Sequence, residues 1–238
     1  WVEPGTFTMG SPTSEAGRGT NEAEHNVTLT KGFYLGKYEV TQAQYQAVMT
    51  GNTSGLSATP SDFAGNPNRP VEKVSWEDVQ VFLTRLNAAE QAAGRLPQGW
   101  RYVLPTEAQW EYACRAGTTT VFSHGNSLSS TQANFKGTLP YGGAAAGPNL
   151  QRTTDVGSYA ANPWGFHDMH GNVWEWCADW KGDYPAGSAT DPTGAASGSE
   201  RVRRGGTWAS FGHFLRSAKR DENPPGDGGN IVGFRLGF

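Results

Sequence analysis

The stretch from Gly165 to Trp180 gathers two histidines, three acids, one asparagine and three tryptophans into sixteen residues. Oxygen donors at that density suit a hard cation, provided that Asp168 and Glu175 converge with backbone carbonyls around Gly171, although the spacing is not that of an EF-hand. His167 and His170, three apart, also offer imidazole to a transition metal; a histidine pair beside a glycine more often only completes hydrogen bonds. The tryptophans read as buried aromatic core in preference to a carbohydrate platform.

A second concentration is Arg201-Val202-Arg203-Arg204-Gly205-Gly206-Thr207-Trp208. Alternation on a strand sends Arg201 and Arg203 to one face and Val202 and Arg204 to the other, so the basic run is split and does not form one anion site. Arg204, beside the glycines, is expected to be buried against a carboxylate. Farther on, Trp208, Ser210, Phe211, His213, Phe214, Lys219, Asp221, Glu222 and Asn223 mix aromatic anchors with hydrogen-bonding groups at neither helix nor strand period. That is the composition of a binding surface for a protein or small-molecule ligand, with packing of Phe211 and Phe214 into the core as the competing reading. Cys114 and Cys177 form one bridge or two inert thiols. Neither lies in a CxxC pair, which argues against a structural zinc or a redox dithiol.

The elements that must hold these groups are few. Thr41-Gln42-Ala43-Gln44 and Thr106-Glu107-Ala108-Gln109 are capping boxes, and Ser75 caps a longer run with Val79, Phe82, Leu83 and Leu86 at helical spacing. Short strand signals fall at 6–9, 26–29, 33–40, 202–208 and 231–236. The stretches 118–162 and 181–200 show no period, and loops that long need function, metal or a partner to order them. The expectation is one α+β domain across the chain.

Composition agrees. The 238 residues include 32 Gly and 14 Pro, about a fifth of the chain against roughly 12% on average. Charged residues make up 17% and aromatic ones 12%, nine of them Trp, so aromatic side chains must supply much of the core. A net charge of −3 gives no general pull toward nucleic acid or an anionic membrane. No apolar run approaches the roughly 20 residues of a transmembrane helix. A start on Trp1 reads as a trimmed or processed chain, so a leader and a compartment are not specified.

Seven motifs occur in order: Pro4 to Gly10, Tyr38-Glu39-Val40-Thr41, Pro70 to Trp76, Leu104 to Ala113, Gly171-Asn172-Val173-Trp174-Glu175-Trp176, Arg204-Gly205-Gly206-Thr207-Trp208 and Gly233-Phe234-Arg235. Together they resemble the formylglycine-generating enzyme, or sulfatase-modifying factor, family from end to end. The resemblance implies a single elaborated C-type-lectin-like domain, low in regular structure, with long ordered loops and often calcium.

The family's oxidases use copper, oxygen and two cysteines just after the Gly-Gly turn. Here that window, Thr207 to Arg216, contains no cysteine; Ser210 and Leu215 can neither ligate Cu(I) as thiolates nor exchange disulfides. No copper is expected. The resemblance implies a structural Ca²⁺ held by Asp168, the carbonyls of Gly171 and Val173, and Glu175. A second family site would take Asn134 and the Phe135 carbonyl, but Gly147-Pro148-Asn149-Leu150 supplies no acid for it. A branch of the same fold, the variable proteins of diversity-generating retroelements, displays ligand contacts from its last segment, and Trp208 to Asn230 is similar to such a region. The expected function is therefore binding by a monomeric non-oxidase member of the family. The alternative is a family oxidoreductase, of the sulfatase-maturation kind, with a different substrate or cofactor.

Overall fold

The computed structural model describes residues 1–238. Three helices carry the regular α structure: α1 (Gln42–Met49), α2 (Trp76–Ala92) and α3 (Glu107–Arg115). Each starts on a complete capping box. Thr41, Ser75 and Thr106 accept from the backbone of the third helical residue, whose side chain returns the bond, so two otherwise orphaned donors are satisfied at each start. Helix α3 ends on Ala116 in the left-handed region.

The strands form two sheets. Strands β1 (Gly5–Met9), β2 (His25–Leu29) and β4 (Ala189–Thr190) make the smaller one, ordered β1-β2-β4. The larger is ordered β6-β5-β3-β7, from β3 (Trp174–Trp180), β5 (Arg201–Arg204), β6 (Asp221–Asn223) and β7 (Val232–Gly233). A short 3₁₀ turn, Gly212–Leu215, follows β5. The expected strand at 33–40 is reduced to isolated bridges, Phe33 with Val2 and Leu35 with Gly237. That at 231–236 keeps only two residues, since a single short partner edge on β3 is available to it.

One core cluster packs α3 and β1–β2 against one side of the larger sheet, around Trp110, Val27 and Cys177. Another packs α1 and α2 on the other, around Tyr45, Phe82, Trp176 and Phe234. A third gathers Phe122, Leu128, Ala133 and Phe135 of the aperiodic 118–162 stretch around Leu215 of the 3₁₀ turn. Apolar burial and backbone bridging, such as Leu128 with Tyr141, order that long loop.

Candidate functional site

Strand β5 buries Val202 and Arg204 and leaves Arg201 and Arg203 half-buried, as alternation requires. Arg204 is fully buried and paired with Glu111 and Glu107, so the basic run supports the sheet and presents no anion site. Past it, Gly205 and Gly206 both have positive φ, and a Cβ on Gly206 would stand 2.8 Å from the Leu215 side chain. This close approach turns the chain into the segment 207–219.

That segment is fixed from beneath. Lys136 donates its backbone N–H to the Ser210 carbonyl, and Gly212 donates to Leu139, both at 2.9 Å. Arg216 is fully buried under the 3₁₀ turn, pairing with Glu15 at 2.5 Å and Glu22 at 2.8 Å and donating to the carbonyls of Gly17 and His213. Leu215 is buried in the third core. On this base Phe211 stands 40% exposed, with His213 and Phe214 half-buried. Their rings make a patch, His213 to Phe214 at 4.2 Å and Phe211 to Phe214 at 6.3 Å. Lys136 lies over Phe211 at 5.2 Å and Lys219 over Phe214 at 5.5 Å. Burial, then the charges of Arg216 and Lys219, push the His213 imidazole down, so at neutral pH it is uncharged and the lysines carry the positive charge.

The other expected ligand-contacting residues divide. Trp208 is half-buried, edge-on to Phe63, and donates to the Asn230 carbonyl. Ser210 turns its hydroxyl inward, where it accepts from the Thr207 N–H. Asp221, Glu222 and Asn223 form the half-buried edge strand β6, where Asp221 pairs with Arg203, Glu222 with Lys181 and the Asn223 backbone with Arg201. Both acids are thus engaged in ion pairs beside the sheet. Sequence reasoning missed Lys136, Arg216, Glu15 and Glu22, because their partners lie far away along the chain and no local spacing announces them.

No thiol serves the segment. Cys114 and Cys177 are free and fully buried. Burial pushes the Cys114 thiol up to about 12 and the Cys177 thiol well above its ordinary value. The two histidines fill hydrogen bonds. His170 lies against the Leu215 carbonyl through Nδ1, accepts from the Ser123 N–H at Nε2, and is held neutral by burial, with its pKa lowered to about 3. His167 contacts the Tyr159 carbonyl.

Two of the expected calcium ligands, Asp168 and Glu175, lie near a third buried acid, Glu39. Glu175 accepts from Arg235 on both oxygens at 2.6 Å and from Trp110 at 2.7 Å. Asp168 accepts from the Gly157 N–H, and burial raises its carboxyl. Burial, then Asp168 and Glu175, raise Glu39 well above its ordinary range, and its Oε2 has no hydrogen-bond partner. The carbonyls of buried Gly171 and Val173 accept no hydrogen bond. Three buried acids, Glu39, Asp168 and Glu175, thus lie around the Arg235 guanidinium. No three acid, His or Cys side chains converge on one point that could hold a metal ion.

Several known proteins are similar to this chain. The chain is 43% identical over 137 residues to a Chlamydia caviae serine/threonine-protein kinase, pkn1, covering 56% of this chain and 20% of that one. It is 37% identical over 185 residues to the formylglycine-generating enzyme of Streptomyces coelicolor, covering 74% of this chain and 54% of that one. The chain therefore spans a fifth of the first relative and about half of the second. Among solved structures, Treponema denticola variable protein 1 matches with a TM-score of 0.79 at 27% identity, covering 99% of this chain and 92% of the other. PvdO from Pseudomonas aeruginosa matches with a TM-score of 0.81 at 30% identity, covering 99% and 91%. These neighbours agree with one elaborated α+β domain of the C-type-lectin-like kind. The family model described as the sulfatase-modifying factor enzyme 1-like domain matches residues 1–237, and the chain belongs to that family.

Proposed function

We propose that this domain is a binding module, a non-oxidase member of its family that recognises a ligand or protein through the surface built by residues 208–219. The observation that carries the reading is the segment itself. Where the resemblance puts the oxidases' paired cysteines, Ser210 is turned inward and Leu215 is core, while Phe211, His213 and Phe214 form a partly exposed patch on a rigid base. Rigid aromatic anchors at low entropic cost are what interface hot spots are made of, and Lys136 and Lys219 add complementarity to carboxylate groups. The likeness to Treponema denticola variable protein 1 over nearly the whole chain supports this reading; a retroelement-diversified origin would show as a template copy of the 208–230 coding segment in neighbouring genes. A structural Ca²⁺ at Asp168, the Gly171 and Val173 carbonyls and Glu175 belongs to the same proposal.

The second reading, a family enzyme with another substrate or cofactor, is favoured by the similarity to the Streptomyces formylglycine-generating enzyme. A displayed random-peptide library panned on the wild-type domain and counter-selected on Phe211→Ala/Phe214→Ala separates the two. The binding reading expects enriched acidic peptides that lose at least tenfold affinity on the variant. Peptides that bind both proteins alike, or no enrichment at all, would contradict it.

A further inference from the structure

The stretch 181–200, without period in the sequence, folds over the start of α3 and the Met9 end of β1 and leaves a cavity of about 250 Å³ there. None of residues 208–219 lines it. Tyr184 fixes one wall. Its ring packs on His25 at 4.5 Å and under the Arg220 guanidinium at 3.9 Å, and its hydroxyl donates to Glu107 at 3.4 Å. The opposite turn is held through Asp191, which accepts from the Thr30 N–H at 2.8 Å and donates its own N–H to the Thr28 carbonyl at 2.9 Å. The cavity is therefore preorganised, which lowers the entropic cost of filling it.

Four charged side chains line it: Glu107, Asp179, Asp183 and Arg220. Arg220 is fully engaged. Its Nε and one Nη hold both Glu107 oxygens at 2.7 and 2.8 Å, and its other Nη donates to the Asn21 carbonyl at 3.1 Å, so no cation is left to attract an anion. Asp179 is only 3% exposed. Its Oδ2 accepts from the Glu107 N–H at 2.8 Å, while its Oδ1 has no partner from any other residue. Gly194 passes beside that oxygen at φ 77°, and a Cβ there would stand 3.0 Å from it; glycine keeps the oxygen uncovered. Asp183 is exposed and adds a second carboxylate. Met9, Ala108, Ala195, Pro185 and Pro192 supply apolar lining between these charges.

We propose that this cavity is a second binding site, one that takes a primary ammonium group on an unbranched aliphatic chain, as in a lysine side chain or a small alkylamine, with the charge on Asp179 and the methylenes against the apolar lining. A buried acid without a counter-ion is costly, and an ammonium supplies the missing charge. One free oxygen suits a compact cation with rotatable donors better than the two-pronged guanidinium fork, and it is too few for calcium, which takes about six to eight oxygens. The volume lies just under the range of drug-sized sites, roughly 300–1,000 Å³, and so matches a guest of side-chain size. Burial and then the Glu107 charge push the Asp179 carboxyl up to about 7, so the ionised form that pairs with the guest grows as pH rises through neutrality. The groups facing it do not reverse this trend. Arg220 and Arg201 carry fixed charge, Tyr184 is held neutral by its burial, and against its burial Glu107 is kept below its ordinary value by Arg220 and Arg204. A proton on His25 would repel the guest in acid, in the same direction.

Isothermal titration of the whole domain with n-pentylamine, with lysine capped at both ends and with norleucine capped alike tests this. At pH 8 the amine or the capped lysine is expected to bind saturably and the norleucine not at all. Binding of pentylamine alone would make the guest a free amine, and binding of the capped lysine a lysine side chain. In the wild type the affinity should fall about tenfold between pH 8 and pH 6, as the ionised fraction of a group near 7 does while a lysine-type ammonium stays charged. In Asp179→Asn, which keeps the bond to the Glu107 N–H, it should fall at least tenfold at pH 8 without a lower melting temperature. Failure of both amines to bind at pH 8 would overturn the proposal, as would equal binding of norleucine, an affinity unchanged at pH 6, or binding that survives in Asp179→Asn.

Discussion

Replacing Arg216 by Met should destabilise the protein more than any change in the patch that it supports. The guanidinium is fully buried and answers Glu22, fully buried, and Glu15, 7% exposed, besides the Gly17 and His213 carbonyls. Met keeps the aliphatic volume but leaves two buried carboxylates without their cation. Removing one partner of a buried ion pair costs about 3–5 kcal/mol. At roughly 2–4 °C per kcal/mol in a chain of this size, the melting temperature should fall by on the order of 10 °C at pH 7.5. The loss should depend on pH in a set direction. In the wild type Arg216 holds the Glu22 carboxyl below its ordinary value, a stabilisation present above the unfolded pKa and lost as pH falls through the folded one. In the variant both carboxyls sit raised in the folded state, so their burial penalty shrinks as they take up protons. Both effects narrow the gap between the two proteins as pH drops from about 7 toward 4. Urea denaturation at pH 7.5, 6 and 4.5 reads this directly. A loss under about 1 kcal/mol at pH 7.5, or a gap that widens in acid, would refute the reasoning.

Burial and then the Glu107 charge push the Asp179 carboxyl up to about 7, so the contribution of this one group to wild-type stability should decline as pH rises from about 4 to 7. Asp179→Asn, which can still accept from the Glu107 N–H, should then be more stable than wild type by roughly 1–3 kcal/mol at pH 8 and equal to it at pH 4; an Asn variant that is weaker at pH 8 would contradict this. Both thiols should resist a disulfide reagent in the native state and react only in denaturant, because both are fully buried; rapid native labelling would contradict that. Calcium at a hundred times its dissociation constant should stabilise the fold by about 2.7 kcal/mol, reversibly with chelator and not in Asp168→Asn. Equal melting with calcium and with chelator would remove the ion from the account.

What could be read from the sequence was whatever depends on neighbours along the chain. Thr41, Ser75 and Thr106 each start a helix because capping is settled within four residues, and the faces of Arg203 and Arg204 follow from strand alternation. Strand β3 was not foreseen, although it is central to the larger sheet. Its acids, Glu175 and Asp179, read in the sequence as oxygen donors for a cation or as polar surface, and only Arg235 and the Glu107 backbone, 60 and 72 residues away, make them buried members of a strand. The edge strand Asp221–Asn223 was hidden for the same reason, since its polar residues are satisfied by Arg203 and Lys181. In the candidate site the aromatic anchors were legible by composition, whereas Lys136, Arg216 and Glu39 act only through long-range contacts. The ion pairs of Asp221 and Glu222 with Arg203 and Lys181 carry no local mark in the sequence either, since a charged residue in a short edge strand looks there like any polar surface position.

The central claim is that the fold is used here for binding, without the thiol chemistry of the family's oxidases. Incubating the purified domain with a cysteine-containing sulfatase-motif peptide, copper and oxygen, and following the peptide by mass spectrometry, tests it most directly. The expected result is no formylglycine above a no-protein control, because the window in which the resemblance puts the oxidases' thiols, Thr207 to Arg216, holds no cysteine and both cysteines of the chain are buried. Formylglycine accumulating with turnover would contradict it.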